Sequence, residues 1–281
     1  MIHSSKKMQF TVDGIKMDKE IWATGFATNP NFFGTYMLLC FSYALGLFID
    51  GKNMIKNIIY LILSAVFAFG ILISNTMSCV VGCVAVLGYI FIFAIKNKQI
   101  KKILIILAIA VIVSIVGVKS GKTRIIKEMP KIEQQATEIA QGNINDKIGT
   151  NRIYIWRNAL KLLPNCWLHG IGIDNFYYAF NGKPLLSPDG KYFYDKVHNE
   201  YLQILVTEGI FCFITYLVMY GIICIRGLNN SFKNKEIYLV LPIIGYLVQA
   251  FFNISVIEVA PVFFIALGLC CNKDNRLNEE K

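Results

Sequence analysis

The sequence predicts an all-α polytopic membrane protein, with about seven transmembrane helices and one large extracytoplasmic loop carrying short amphipathic helices. Three observations predict it. Of 281 residues, 55% are hydrophobic, more than a soluble domain of this size carries. The apolar residues are bunched: 57–95 contains no charge, enough for two crossings, and 31–49, 103–118, 209–225 and 237–257 are further uncharged runs. Each is close to the ~20 residues that span a bilayer as a helix. Finally, the lysines and arginines cluster between these runs.

Taken in order, crossings are expected at 31–49, 57–73, 78–95, 103–118, 201–225, 237–256 and 259–272. Lys52 and Lys56 follow the first, KNKQIKK (96–102) the third, and Arg226, Lys233 and Lys235 the fifth. Only the uncharged SNTMS (74–78) joins the second to the third. The positive-inside bias places the cationic connections and the tail 273–281 in the cytoplasm. The segment 1–30 and the polar segment 119–200 then lie outside. A polar leader without a signal-peptide core has no evident route across. Further helices upstream, in a longer protein, are the favoured explanation, and N-out insertion is the other.

The formal charge of +10 is accounted for by those loops, and no basic-aromatic repeat of a nucleic-acid binder is present. Seven of eight cysteines fall in or beside apolar runs, where they read as small packing residues; Cys166 alone lies in a clearly polar region. No disulfide framework follows.

A polar segment as long as 119–200 calls for a function of its own. Within it, TNRIYIWRNALKLLP (150–164) reads as a helix capped by Asn151 or Thr150 and stopped by Pro164. Ile153, Trp156, Leu160 and Leu163 recur at helical spacing, with Arg157 and Lys161 on another face, the pattern of an interfacial helix. TRIIKEMPKIEQQATEIA (123–140) is a weaker helical pattern broken at Pro130. HGIGIDNF (169–176) reads as a turn, and LLSPDGKYF (185–193) as a turn between short extended pieces.

The chemistry-bearing residues gather where the polar segment meets the next apolar one, KVHNEYLQILVTEG (196–209). Asn199 suits the N-cap of a helix starting near Glu200, leaving His198 just outside its first turn. A helix N-terminus attracts anions and disfavours imidazolium, so a neutral His198 beside a phosphate could accept a hydroxyl proton. The competing reading is a headgroup-zone surface histidine. Glu208 follows Tyr201 and Leu205 along one face, about 12 Å past the helix start; a carboxylate there needs a partner, water, or room to snorkel. Arginine holds a diphosphate through its planar fork, and Arg152, opening an amphipathic helix, is the stronger candidate beside Arg157. Arg124, Lys127 and Lys131 fit general attraction to anionic lipid. No Asp-x-Asp pair, Walker, G-x-S-x-G or H-E-x-x-H pattern occurs. Asp195, His198 and Glu200 could be drawn as a metal site, but the spacing is weak, and no metal or cofactor is expected.

Four stretches together carry a resemblance: ATGFATNPNFFGTYM (23–37), ISNTMSCVVG (73–82), TNRIYIWRNALKLL with HGIGIDNF, and VHNEYLQILVTEG (197–209). The chain resembles the O-antigen ligase and polysaccharide polymerase family of integral membrane glycosyltransferases (Wzy/WaaL-like), covering about its C-terminal two-thirds. The last two stretches, in this order around a large outer loop, carry most of the specificity. The resemblance implies a GT-C-like fold and metal-independent, inverting transfer at the outer face of the bacterial cytoplasmic membrane. The donor would be a polyprenyl-diphosphate-linked glycan, and the acceptor a hydroxyl on another glycan or on a lipid. It maps the family's histidine onto His198 and its loop arginine onto Arg152. Arg157, Asn199, Tyr201 and Glu208, with Asn29 and Asn31 of the Asn-Pro-Asn segment, become expected substrate contacts. Two cations common in the family are missing: Ile21, Trp22 and Ala23 occupy the region before that segment, and the short turn carries Met77. The competing functions are a transporter or lipid-glycan binder without chemistry, and an inactive truncated member. Polymerase and ligase perform one reaction on different hydroxyls, so the sequence separates neither these nor the sugars, and it leaves oligomeric state open.

Overall fold

The computed structural model describes residues 7–12, 15–20, 24–191 and 193–279. Side chains within 7–20 and 272–279, and that of Ile126, are outside the description. The chain folds mostly into helices and divides into two compact units.

The larger unit comprises Ala23–Ile126, Met219–Gln249 and Ser255–Lys281. Four long apolar helices follow one another: α1 (Pro30–Asp50), α2 (Met54–Ser74), α3 (Met77–Lys96) and α4 (Ile100–Lys119). Each is long and apolar enough to cross a membrane. α1 is wrapped by its neighbours and supplies Leu38, Phe41, Leu45, Phe48 and Ile49 to the core, against Ile71 of α2 and Val86, Ile90 and Phe93 of α3. Its start is explained by Asn29, whose side-chain oxygen accepts from the Asn31 N–H at 2.9 Å, with Pro30 in the first turn where a missing N–H loses nothing. Hydroxyls inside these helices close onto their own preceding turn: Thr35 onto Asn31 O, Ser42 onto Leu38 O, Ser64 onto Tyr60 O.

Three expected crossings are corrected. The fifth, drawn as one helix over 201–225, is two. α7 (Glu200–Glu208) ends at Gly209, and α8 (Ile210–Asn234) carries the fifth long apolar span. Gly209 has φ 86° and ψ 179°, a region that essentially only glycine occupies. The sixth stops at Ala250 rather than 256: α9 (Ile237–Ala250) has 14 residues, about 21 Å at 1.5 Å per residue, short of a ~30 Å hydrocarbon core. The seventh corresponds to the apolar part, Ala260–Cys271, of α10 (Ala260–Glu279), also short.

The second unit comprises Met1–Trp22, Lys127–Val218 and Ala250–Ile254. An antiparallel hairpin of β1 (Lys7–Val12) and β2 (Ile15–Glu20), which the sequence did not predict, opens it. α5 (Ile125–Ala140) runs unbroken through Pro130, against the interruption expected there. α6 (Ile148–Cys166) runs past Pro164, which sits in its last turn instead of stopping it. Its packed face follows the expected stripe only in part, through Trp156 and Leu163. Ile155, Ala159 and Cys166 are buried with Phe176, Leu185, Val197 and Val206, while Leu160 is half exposed at 50%. Cys166, expected in a polar setting, is a core residue, and burial pushes its thiol pKa up. The LLSPDGKYF turn is flanked as expected by extended pieces: β3 (Leu185–Leu186) pairs antiparallel with β4 (Phe193–Tyr194).

Candidate active site

The site is assembled from the start of α6, the start of α7 and the dipeptide Phe251–Phe252. At the start of α6 the backbone does something a helix cap does not. Gly149, Thr150 and Asn151 take φ of 64°, 61° and 66°, three successive left-handed residues. Thr150 and Asn151 are therefore not the expected caps. Left-handed backbone costs roughly 1–2 kcal/mol for a residue with a side chain, and here it is offset by two specific bonds. The turn aims the Gly149 carbonyl at Arg152 Nη1, 2.9 Å away, and the Asn151 side-chain amide donates to the Tyr194 hydroxyl at 2.9 Å. Arg152 Nε donates to the Phe252 carbonyl at 3.0 Å.

Two edges of the Arg152 guanidinium are thus fixed by neutral carbonyls. No carboxylate ion-pairs with it among the described residues. Burial lowers its pKa, yet arginine keeps its charge at any physiological pH. The result is a positioned, partly buried cation with Nη2 uncommitted. Desolvating a charge without an opposite partner is expensive, and an arriving anion relieves that cost.

His198 lies within electrostatic reach of this cation. Val197, fully buried, fixes the backbone ahead of it, and the Val197 N–H donates to Gln203 Oε1 at 2.8 Å. Asn199 caps α7 as expected, its side chain accepting from the Leu202 N–H at 3.0 Å. His198 itself is left-handed at φ 55°. Burial first and Arg152 second pull its pKa down to about 4, against a smaller upward pull from Asp195. At neutral pH the imidazole is uncharged, with a lone pair to offer. Glu200 is buried and accepts from the Tyr216 hydroxyl at 3.0 Å. Among the described residues no cluster of three His, Cys, Asp or Glu side chains is arranged to hold a metal.

The joint behind α7 explains two glycines. The Ile171 and Gly172 N–H groups donate to the carbonyls of Val206 and Thr207, and the Ile210 N–H to Trp167 O. The backbones approach so closely that a Cβ on Gly170 would lie 2.2 Å from Thr207 O, and one on Gly209 2.4 Å from Leu168 O. Both also have positive φ. The HGIGIDNF turn and the Glu208–Gly209 corner are one interlocked piece that sets where α7 begins.

The remaining expected contacts distribute unevenly. Tyr201 lies on α7 against Phe251 (ring centroids 6.3 Å apart) and Tyr216 (5.8 Å). Glu208 ends α7 at the Gly209 corner and is not inside a continuous membrane helix. Arg157 does not join Arg152: its guanidinium bonds Asp146 at 2.6 Å and the Ile144 carbonyl at 2.7 Å. Asn29 and Asn31 belong to the other unit, at the start of α1, where Asn29 is engaged as a cap.

A family model described as O-antigen ligase matches residues 59–217, more than half of the chain. The chain belongs to the O-antigen ligase family. No curated protein matches it. As an O-antigen ligase family member it is a multi-pass membrane protein with an enzyme's glycan-transfer role in surface polysaccharide assembly. The matched stretch contains Arg152, Arg157, His198, Asn199, Tyr201 and Glu208, while Asn29 and Asn31 precede it.

Sequence reasoning considered Asp195 beside His198 only as a metal ligand, and it missed Tyr194 as the partner of Asn151 and the Phe252 carbonyl as the acceptor for Arg152. Phe252 lies 100 residues from Arg152 inside an apolar run, so nothing local marks it. The two left-handed turns had a faint signal, since Gly149, Asn151 and His198 are residue types that tolerate positive φ, whereas β-branched Thr150 gives none.

Proposed function

We propose that this chain transfers a glycan from a polyprenyl-diphosphate carrier to an acceptor hydroxyl, with Arg152 gripping the diphosphate and His198 serving as general base. The observation that carries this reading is a partly buried guanidinium, uncompensated by any described carboxylate, within electrostatic reach of a neutral imidazole just ahead of α7.

The acceptor oxygen attacks the anomeric carbon of the donor sugar while the bond from that carbon to the diphosphate oxygen breaks. His198 takes the acceptor proton. The electron pair of the broken bond leaves on the diphosphate, whose growing charge Arg152 stabilises. Attack opposite the leaving group inverts the anomeric centre in a single displacement, and a guanidinium supplies the charge stabilisation that a metal supplies elsewhere. An imidazole with a pKa near 4 is a weak base, but bound diphosphate would offset the pull of Arg152 and lift it as substrate arrives. The positive-inside bias puts the site on the extracytoplasmic side of the cytoplasmic membrane, where a lipid-anchored diphosphate sits at headgroup depth.

The test is complementation. In a bacterial strain lacking its matching polymerase or ligase, the wild-type chain, with any coding sequence upstream, restores long surface polysaccharide on a gel, whereas His198→Ala and Arg152→Ala do not. Full restoration by both variants overturns the assignment.

A further inference from the structure

Trp156 stands four residues after Arg152 on α6, one helical turn along, so the two side chains share a face. Its ring is held edge-on by Phe251, with centroids 5.5 Å apart at 80°, and at a tilt by Phe252, 6.4 Å away at 35°. The Phe252 carbonyl is also the acceptor that fixes Arg152 Nε, and Phe251 faces Tyr201 of α7. Guanidinium and indole are therefore positioned by the same dipeptide.

The indole nitrogen can only donate. It is shut off from solvent and has no acceptor among the described residues. An unmet buried donor costs roughly 1–3 kcal/mol, and native proteins contain few of them. Packing does not account for it, because a phenylalanine would fill an aromatic clamp without stranding a polar group. The neighbouring uncommitted group, Arg152 Nη2, is also a donor. Two donors on one helix face, with no described carboxylate paired to the guanidinium, mark the place of an oxyanion.

We propose that the Trp156 indole N–H is a second donor to the diphosphate held by Arg152, contacting a phosphate oxygen one helical turn further along α6. This rests on the reading of Arg152 as the diphosphate grip. A neutral donor adds no repulsion beside the guanidinium, and it strengthens as charge builds on the leaving diphosphate.

Of the three tryptophans in the chain, Trp22 and Trp167 are replaced by phenylalanine, leaving Trp156 as the sole indole of the full-length protein in uncharged detergent. Titration with farnesyl diphosphate should give a saturable red shift of emission, reproduced at higher concentration by inorganic pyrophosphate and absent in Arg152→Ala. Calorimetric binding that depends on Arg152 but leaves the emission unchanged overturns the proposal. So does a shift given by phosphatidylglycerol and not by either diphosphate, which assigns the donor to a lipid headgroup. In transfer assays Trp156→Phe should lower kcat about 10–100-fold, with KM for the donor changed less. Full activity in Trp156→Phe alongside a dead Arg152→Ala removes Trp156 and leaves the proposed function standing; full activity in both removes both.

Discussion

The membrane-helix unit and the polar unit treat their buried polar groups in opposite ways. In the first, Thr35, Ser42 and Ser64 turn their hydroxyls back onto the preceding helical turn. The buried side-chain atoms left unpaired there are the acceptor oxygens of Asp50, Asn57 and Gln99 and the Ser78 hydroxyl. In the second, the open groups are donors, Arg152 Nη2 and Trp156 Nε1, set beside a neutral imidazole. Left-handed backbone occurs in both: Asn75, Lys98 and Lys235 take it at helix ends in the first unit, and in the second Asp174 and Asn181 take it in turns away from the site while Thr150, Asn151 and His198 take it at the site. The groups left open in the scaffold are acceptor oxygens and one hydroxyl, while those left open beside the imidazole are donors, the sign that an anion requires.

The sharpest way to break this contrast is at His198. Replacing it with glutamine keeps a polar side chain and removes the base, and glycan transfer in proteoliposomes should fall about 10²–10⁴-fold. In the wild type kcat/KM should hold from neutral pH down and drop as pH falls through about 4, where the imidazole of the unloaded protein gains its proton. The sign for stability agrees. An unfolded chain protonates this histidine near 6.5 while the folded protein resists until about 4, so the unfolded state binds more protons in that window and stability declines as pH falls through it. Thermal unfolding of His198→Gln should show less of that decline.

Arg152→Lys comes next. It keeps the charge and loses the fork that meets Gly149 O, Phe252 O and an anion together, so transfer should fall about 100-fold with weakened diphosphate binding by calorimetry. Wild-type kinetics would reduce Arg152 to a point charge. Gly209→Ala tests the scaffold behind the site. A Cβ 2.4 Å from the Leu168 carbonyl, at a Gly-only backbone, should lower stability by roughly 1–3 kcal/mol in thermal melts and depress activity with it. The smallest effects belong to Arg157→Ala and Ser42→Ala. The first loses an exposed pair worth about 0–1 kcal/mol, the second one back-bonded hydroxyl, and both should transfer within about twofold of wild type.

How much of this was legible in the sequence follows from whether the signal is local. Charge-free runs located α1 to α4 because bilayer thickness imposes length directly on composition. Asn199 was legible as a cap because capping is settled within four residues. The α7–α8 break was not, because hydropathy reads 201–225 as one run and the corner is set by distant backbone, the Trp167–Gly172 stretch packed against Val206–Ile210. Arg157 attracted attention by its residue type, but Asp146, eleven residues upstream, claims it. Phe251 and Phe252 looked like span interior, since short α9 ends before them.

The corner at Gly209 has a mechanical consequence. A single rod from 201 to 225 would carry any lean or slide of its membrane-embedded half straight to the imidazole. With the rod cut, and the cut pinned by the bond from Ile210 to Trp167, α8 can adjust to a thicker or thinner lipid layer while α7 keeps its heading. Activity measured across bilayers of graded acyl length should therefore vary little.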